Sequence, residues 1–589
     1  METTAPENNI TPVAKTGSIA RIALGLLFLV PSLCCCVSQL LVPTLGTFWM
    51  SLQRIRPFRL EGEFIGLENY TRLFADRAFQ SAIGFTLSVL VVQLLVVAVI
   101  PLGLAWAGSK LGRPLRLGLR ILLTLPVALF VPETIAIIWR AISSPSAGVL
   151  PPGASLPLGV GNAPTTLLFI DALYLVGLAG GLGLIVYLPI WRRPADAPIL
   201  TRKEIVKPAL ATWGVSLLGI MALTLSTFSL SFLLTGGLFG TNTLGTLLYH
   251  FAFLSAQFGP ATSIATIILL AILTLGLLAG LLVLLARLRL DIVNDPPPAK
   301  EEKKDDEEKE SAPKQSKTLP AIIIPAALLL LALGGCLFSA LPFGWLIPHA
   351  FGPRGIGPLM DQILSTPVLG NTFIPPLITA TIQVLIAYLA ALSLGALQPL
   401  GKRSEWLLLL FSPWLFVTML PLSLSWFVAI QKVGLLNTSL ALISPISLSV
   451  PVLFILTIFF KGRASTENDA PAKTGFFKHF VLPSLPLVAV LWLFLLFLAW
   501  QDLFWPLIVA NRLGTHPLSV MLLQLRGATG ATSDTLAAAI TFLVLPVCFF
   551  IFAALTSFQI FYLDRLKLYS EERAGKVEDI KSDEPVSQS

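Results

Sequence analysis

Long apolar stretches recur along this chain in two matched series, and a tract of charge and proline from Asp291 to Lys317 separates them. A stretch of about 20 apolar residues is long enough to cross ~30 Å of hydrocarbon. Inside lipid every backbone polar group must be satisfied within the protein, which leaves helices as the form such stretches take. Twelve are expected: Ile19–Met50, Ala82–Ala107, Leu117–Ile142, Thr166–Ile190, Ala209–Leu234, Thr262–Ala286, Leu319–Ile347, Phe373–Leu397, Leu407–Ile430, Thr438–Phe460, Leu485–Ala510 and Leu536–Phe561. The fold class is therefore all-α, a polytopic membrane protein whose 12 transmembrane helices form two parallel six-helix repeats. Composition agrees: 12% of residues are charged and 55% hydrophobic, whereas a soluble domain carries about 25% charged residues.

The repeat is visible in the loops. Asp196-Ala197-Pro198 is followed by Lys207-Pro208 at the mouth of an apolar stretch, and Asp469-Ala470-Pro471 by Leu482-Pro483 in the same setting. The offset is 273 between the aspartates, 275 between Pro208 and Pro483, and 274 between Gly240-Thr241-Asn242-Thr243-Leu244 and Gly514-Thr515-His516-Pro517-Leu518. We expect a first repeat at 1–290, a charged solvated linker at 291–318, a second repeat at 319–568 and a charged tail at 569–589. The linker holds too little apolar surface to offset the entropy of ordering it.

Lysine and arginine placement sets orientation. Lys110, Arg113, Arg116, Arg120, Arg192, Arg193, Arg202, Lys203, Lys207, Lys402, Arg403, Lys461, Arg463, Lys473 and Lys478 share one set of loops. The stretches Ser143–Thr165 and Thr235–Pro260 on the other side hold none. The first set, the linker and both termini are expected in the cytoplasm. One outer segment departs, because Arg54, Arg56, Arg59, Arg72 and Arg77 mix there with Glu61, Glu63, Glu68 and Asp76. The net charge of +8 follows from this rule and implies no nucleic acid. The five cysteines lie within apolar stretches, without metal-ligand spacing. Lys15 and Arg21 flank the start of the first stretch, which is too long for a signal peptide and reads as an uncleaved anchor.

The second loop, Asp469 to Pro483, sets Phe476, Phe477 and Phe480 at helical spacing among Lys473, Lys478 and His479. A short helix there, with a proline turning the chain into the bilayer, suits an element that receives force from a cytoplasmic partner. This segment resembles the second part of the coupling loop of binding-protein-dependent ABC permeases, with Phe477 at the motif phenylalanine and Ala470 in place of its glycine. Gly66-Leu67-Glu68-Asn69-Tyr70-Thr71-Arg72-Leu73-Phe74, the run from Thr227-Phe228 to Leu234-Thr235-Gly236-Gly237, Gly434-Leu435-Leu436-Asn437-Thr438 and Trp500-Gln501-Asp502-Leu503-Phe504-Trp505-Pro506-Leu507 resemble the sugar branch, of maltose and glycerol-phosphate type. The first half is similar to one permease subunit and the second half to the other. The resemblance implies the ABC type I importer permease fold. It also implies a pair of cytoplasmic ATP-binding cassette subunits gripping the loops of Asp196, Ala197, Pro208, Asp469, Ala470, Phe477 and Pro483, and an extracytoplasmic solute-binding protein. It implies a sugar or other polyhydroxylated small-molecule solute, and residence in a bacterial inner membrane. The Glu-Ala-Ala part of the motif is absent from both halves, and in the first loop Pro208 follows Asp196 at an interval of twelve positions rather than fourteen.

No cofactor is expected, and no catalysis by this chain. The nearest phosphate-loop imitation, Gly395 to Arg403, has one residue too many between its glycines and no hydroxyl after Lys402. Glu133 and Asp502 are costly at membrane depth and should face the bundle interior. Each either lines the solute path or satisfies backbone donors freed by Pro132 and Pro506. Trp500 and Trp505 are candidate sugar-stacking faces, or interfacial packing. Gln93 and Gln383 suit interhelix hydrogen bonds. Two other readings stay open: a major-facilitator-like secondary transporter, and a permease-derived scaffold or sensor without ATP coupling.

Overall fold

The computed structural model describes residues 13–56, 59–142, 162–188, 202–292, 320–352, 357, 361, 366–466, 475–527 and 533–570. Asp196, Ala197, Asp469 and Ala470 lie outside these residues, as do most of the linker and tail.

Among the described residues, eight helices are long and apolar enough to cross a membrane. Two further pairs are bent by more than 40° at a short break, which makes ten if each pair crosses as one. In chain order α1 is Ile19–Ser51 and α2 is Arg77–Ser109. The first bent pair is α3 (Arg113–Ala128) with α4 (Pro132–Ile142), and α5 is Ala163–Val186. Then come α6 (Arg202–Leu225), α7 (Phe258–Ala286) and α8 (Pro320–Ala350). They are followed by α9 (Val368–Leu397), the second bent pair α10 (Arg403–Trp414) with α11 (Met419–Val433), and α12 (Val450–Thr466). Last are α13 (Phe477–Trp500), α14 (Phe504–Val509) and α15 (Asp534–Phe561).

Of the twelve expected stretches, eight to ten stand out as candidate spans among the described residues, and the others differ for identifiable reasons. The stretches expected at Leu117–Ile142 and Leu407–Ile430 are each broken, by bends of 83° and 79°. Pro132 supplies no N–H and opens α4 afresh, and the second break falls between Trp414 and Met419, just after Pro413. The stretch expected at Thr438–Phe460 is helical only from Val450, because Ser439–Leu442 forms a 3-10 turn first. The seventh stretch, expected at Leu319–Ile347, is helical over Pro320–Ala350.

The first helix of each half packs on the other half. Arg21 of α1 donates to the carbonyls of Ala396 (2.8 Å) and Leu397 (3.1 Å), placing a cation on the open end of α9. Ser393 donates to Gly25 O, and the Gln39 carboxamide exchanges hydrogen bonds with Ser447. In return α8 packs on α2, α3 and α5, with Tyr174 Oη donating to Ser339 O at 3.3 Å. Gly276 and Gly280 on one face of α7 meet Ser412 and Pro413 of the second half. Small residues there let two backbones approach closely, the usual basis of helix contact in lipid.

Two small antiparallel ribbons complete the structure. The strands β1 (Gln53–Arg56) and β2 (Arg59–Phe64) form a hairpin after α1. Glu68 pairs with Arg54 at 3.1 Å and also with Arg72, so part of the base in this segment is offset locally. The strands β3 (Leu288–Ile292) and β4 (Leu566–Ser570) pair from the end of one half of the chain to the end of the other. The boundary expected at 290/291 therefore falls inside a strand, and the one at 568/569 inside its partner.

Candidate functional site

Two helices that descend from the expected loops break at matching positions. The helix α6 ends at Leu225 and resumes at Ser229; α13 ends at Trp500 and resumes at Phe504. The offset of 275 equals that between Pro208 and Pro483. A break inside a span frees backbone groups that lipid cannot satisfy, so breaks are tolerated only where protein or a polar cavity surrounds them. The outer segments beyond the breaks are held alike. Leu244 N donates to Thr86 Oγ1 at 3.1 Å, and Leu518 N donates to Thr372 Oγ1 at 2.8 Å.

The breaks gather polar groups. Asp502 accepts a hydrogen bond from Phe504 N at 3.1 Å and so caps α14, one of the roles weighed for it from sequence. Glu133, in the first turn of α4, is 2% exposed, and its Oε1 is buried without a hydrogen-bond partner. Ser226 Oγ and Gln501 Oε1, at equivalent places in the two breaks, are likewise buried and unpartnered, as are Thr134 Oγ1 and Trp500 Nε1. Leaving such atoms unsatisfied costs ~1–3 kcal/mol each. Hydroxyl groups of a ligand would satisfy acceptors and donors of this kind together.

The four sequence candidates for the path therefore separate. Glu133, Trp500 and Asp502 share this region. Trp500 stacks on Phe497 with ring centroids 6.1 Å apart. Trp505 does not line an open path: it is 1% exposed, and its Nε1 donates to Ala441 O at 2.8 Å. It is a packing residue in the cluster with Phe228 and Phe504.

A second buried polar group was passed over by the sequence reading. Asp171 of α5 accepts from Gln93 Nε2 at 2.6 Å, while Gln93 Oε1 accepts from Thr224 Oγ1 of α6. Gln93 thus links three helices, and Gln383 donates to Ile446 O at 2.8 Å. The available signal for Asp171 was a lone acid inside an apolar stretch. Gln93→Leu is expected to leave Asp171 and Thr224 without this partner and to cost ~1–3 kcal/mol. A lower apparent melting temperature of the detergent-purified chain checks this; an unchanged one refutes it.

The elements expected to receive force differ from expectation in one respect. Pro208 does not open its helix, because α6 begins six residues earlier at Arg202. Pro483 likewise lies inside a helical run that starts after Gly475, whose φ of +80° makes the turn. Glycine reaches that conformation without the Cβ clash other residues meet. Phe477 is 62% exposed, whereas Phe480 is 2% exposed and packs on Phe460 and Phe476. The aromatic face is thus split, one ring outward and one inward. The β3–β4 ribbon touches α6 with one strand, and Asp291 of the other pairs with Arg463, which donates to His479 O beside Phe477, so both elements reach the same ribbon.

This is a multi-pass α-helical membrane protein. A segment of 82 residues, 14% of the chain, is 35% identical to the "Trehalose/maltose transport system permease protein MalF" of Thermococcus litoralis. The matched segment spans 27% of that relative, about a quarter of its length. No protein-family model matches the chain.

Proposed function

We propose that this chain is the transmembrane permease of an ABC importer, with both permease subunits in one polypeptide. Its twelve spans then form two parallel six-helix repeats in a bacterial cytoplasmic membrane, both termini in the cytoplasm. The chain is not itself an enzyme. Two separate ATP-binding subunits grip the levers at α6 and α13, and an extracytoplasmic binding protein delivers a sugar or related polyhydroxylated solute to the opposite end. Solute passes between the broken helices, where Glu133, Ser226, Trp500 and Gln501 offer hydrogen bonds to its hydroxyls.

The observation that carries this reading is the pair of helix breaks at one constant offset, each with an unpartnered polar atom beside it. The partial similarity to a sugar-transport permease supports the same class. Exposure of Phe477 supports the lever, because an exposed ring at the base of a span is free to enter a partner's groove.

Co-purification of ATP-binding subunits with the tagged chain tests the assignment. Their absence, together with proton-dependent uptake by the chain alone, would favour a secondary carrier. Phe477→Ala tests the lever. Truncating an aromatic anchor in a docked pocket typically costs 2 kcal/mol or more, roughly a thirty-fold loss of affinity. We expect the ATPase to dissociate and ATP-driven transport to collapse while membrane insertion and yield stay normal. Full retention of ATPase after this change would sink the lever.

A further inference from the structure

The β3–β4 ribbon joins the two halves where no covalent bond sets their distance. The connecting stretch 293–319 holds 27 residues, with a reach of roughly 90 Å when extended at ~3.3 Å per residue. The ribbon instead pairs Leu288 with Ser570, Arg289 with Tyr569, Leu290 with Leu568, Asp291 with Lys567 and Ile292 with Leu566. Its strands leave the ends of α7 and α15, the last membrane helix of each half.

The packing is crossed. The strand of the first half lies on α12 of the second, and the strand of the second half lies on α6 of the first. A Cβ added at Gly462 would sit 2.2 Å from Leu290 O, so strand and helix touch backbone to backbone. Arg289 forks onto Glu405 at 2.7 and 2.8 Å, with 4% and 13% of the two side chains exposed. Asp291 pairs with Arg463 at 3.3 Å, and Arg463 Nη2 donates to His479 O at 3.4 Å. Tyr569 Oη donates to Gly462 O, and Tyr562 Oη, just before β4, donates to Pro483 O at 3.1 Å. The helical turn that bears Phe477 is therefore tied to the ribbon from two sides.

We propose that this ribbon is a releasable latch between the halves, holding the bases of α6 and α13 together and opening when those levers part. A two-stranded ribbon is marginal alone, so its persistence depends on the helices and ion pairs beneath it. Drawing α6 away from α12 removes that support from one strand or the other. The latch rests on the reading of α6 and α13 as moving levers. Its test uses neither solute nor ATPase, so it can fail while the permease assignment stands.

The full chain, with its five native cysteines replaced by serine, is placed in lipid nanodiscs. Opposed strand residues lie ~4.5–5.5 Å apart, within the span a disulfide bridges. Leu290→Cys with Leu568→Cys should therefore cross-link under mild oxidant, and failure to do so overturns the ribbon. Separately, spin labels are attached at Leu210→Cys and Phe477→Cys, whose parent side chains are exposed on α6 and α13. The parent should give one narrow distance distribution. Gly462→Ala, which pries the strand off α12, and Arg463→Gln, which removes the ion pair without adding volume, should each add a longer population. An unchanged distribution in the variants overturns the latch and leaves the ribbon a passive strap.

Discussion

Replacing Gly276 with leucine is expected to part the two halves at a close backbone approach. A Cβ built at Gly276 would lie 2.6 Å from Ser412 O and 2.7 Å from Pro413 O. Those atoms are backbone at the bend between α10 and α11, so they cannot rotate aside as a side chain would. Overpacking commonly costs ~1–3 kcal/mol, and a leucine pressed against main chain belongs at the top of that range or beyond. Gly280 faces Ser412 one turn later, so the helix cannot shift to relieve the clash without creating another. Gly334→Leu is the control, because nothing lies within 4 Å of a Cβ at that position. We expect a marked fall in apparent melting temperature for Gly276→Leu and almost none for Gly334→Leu. Equal behaviour of the two would refute the close approach.

The second large effect is expected at Glu405. Its carboxylate holds both arms of Arg289, whose side chain is 4% exposed. Removing one partner of a buried pair leaves an uncompensated charge and typically costs ~3–5 kcal/mol. Glu405→Ala should therefore destabilise far more than Glu405→Gln, which keeps an acceptor for one arm. Replacing the pair together, Arg289→Met with Glu405→Leu, should recover much of the loss, since the desolvation penalty of both ions disappears. Thermal unfolding of the three variants checks the order. If the double variant is as unstable as Glu405→Ala, the ion pair is not the cause.

Much of the fold was legible because burial in lipid is written residue by residue. The stretches at Ala82–Ala107, Thr262–Ala286 and Leu536–Phe561 reappear as α2, α7 and α15, each extended by a few residues. Gln93 stood out as a polar group in an apolar run, and it makes an interhelix bond. Its partner Asp171 carried the same kind of signal and was passed over. For Trp505 the sequence left stacking face and packing both open, and its surroundings decide for packing. Its neighbours are Phe228 and Ala441, which its own segment does not name. The ribbon left a faint trace, alternating apolar and polar residues in Leu288-Arg289-Leu290-Asp291-Ile292 and again in Leu566-Lys567-Leu568. A two-residue period that short gains meaning only when the two strands meet.

From sequence alone the chain is committed to lipid, to helices and to matched loops in its two halves, because hydropathy and spacing are local and each span satisfies its own backbone. Tertiary structure decided where helices break, which buried polar groups lack partners and how a ribbon joins the halves. Those outcomes depend on contacts between residues hundreds of positions apart, such as Leu290 with Leu568 or Gly276 with Pro413, where the geometry of both partners must be known at once.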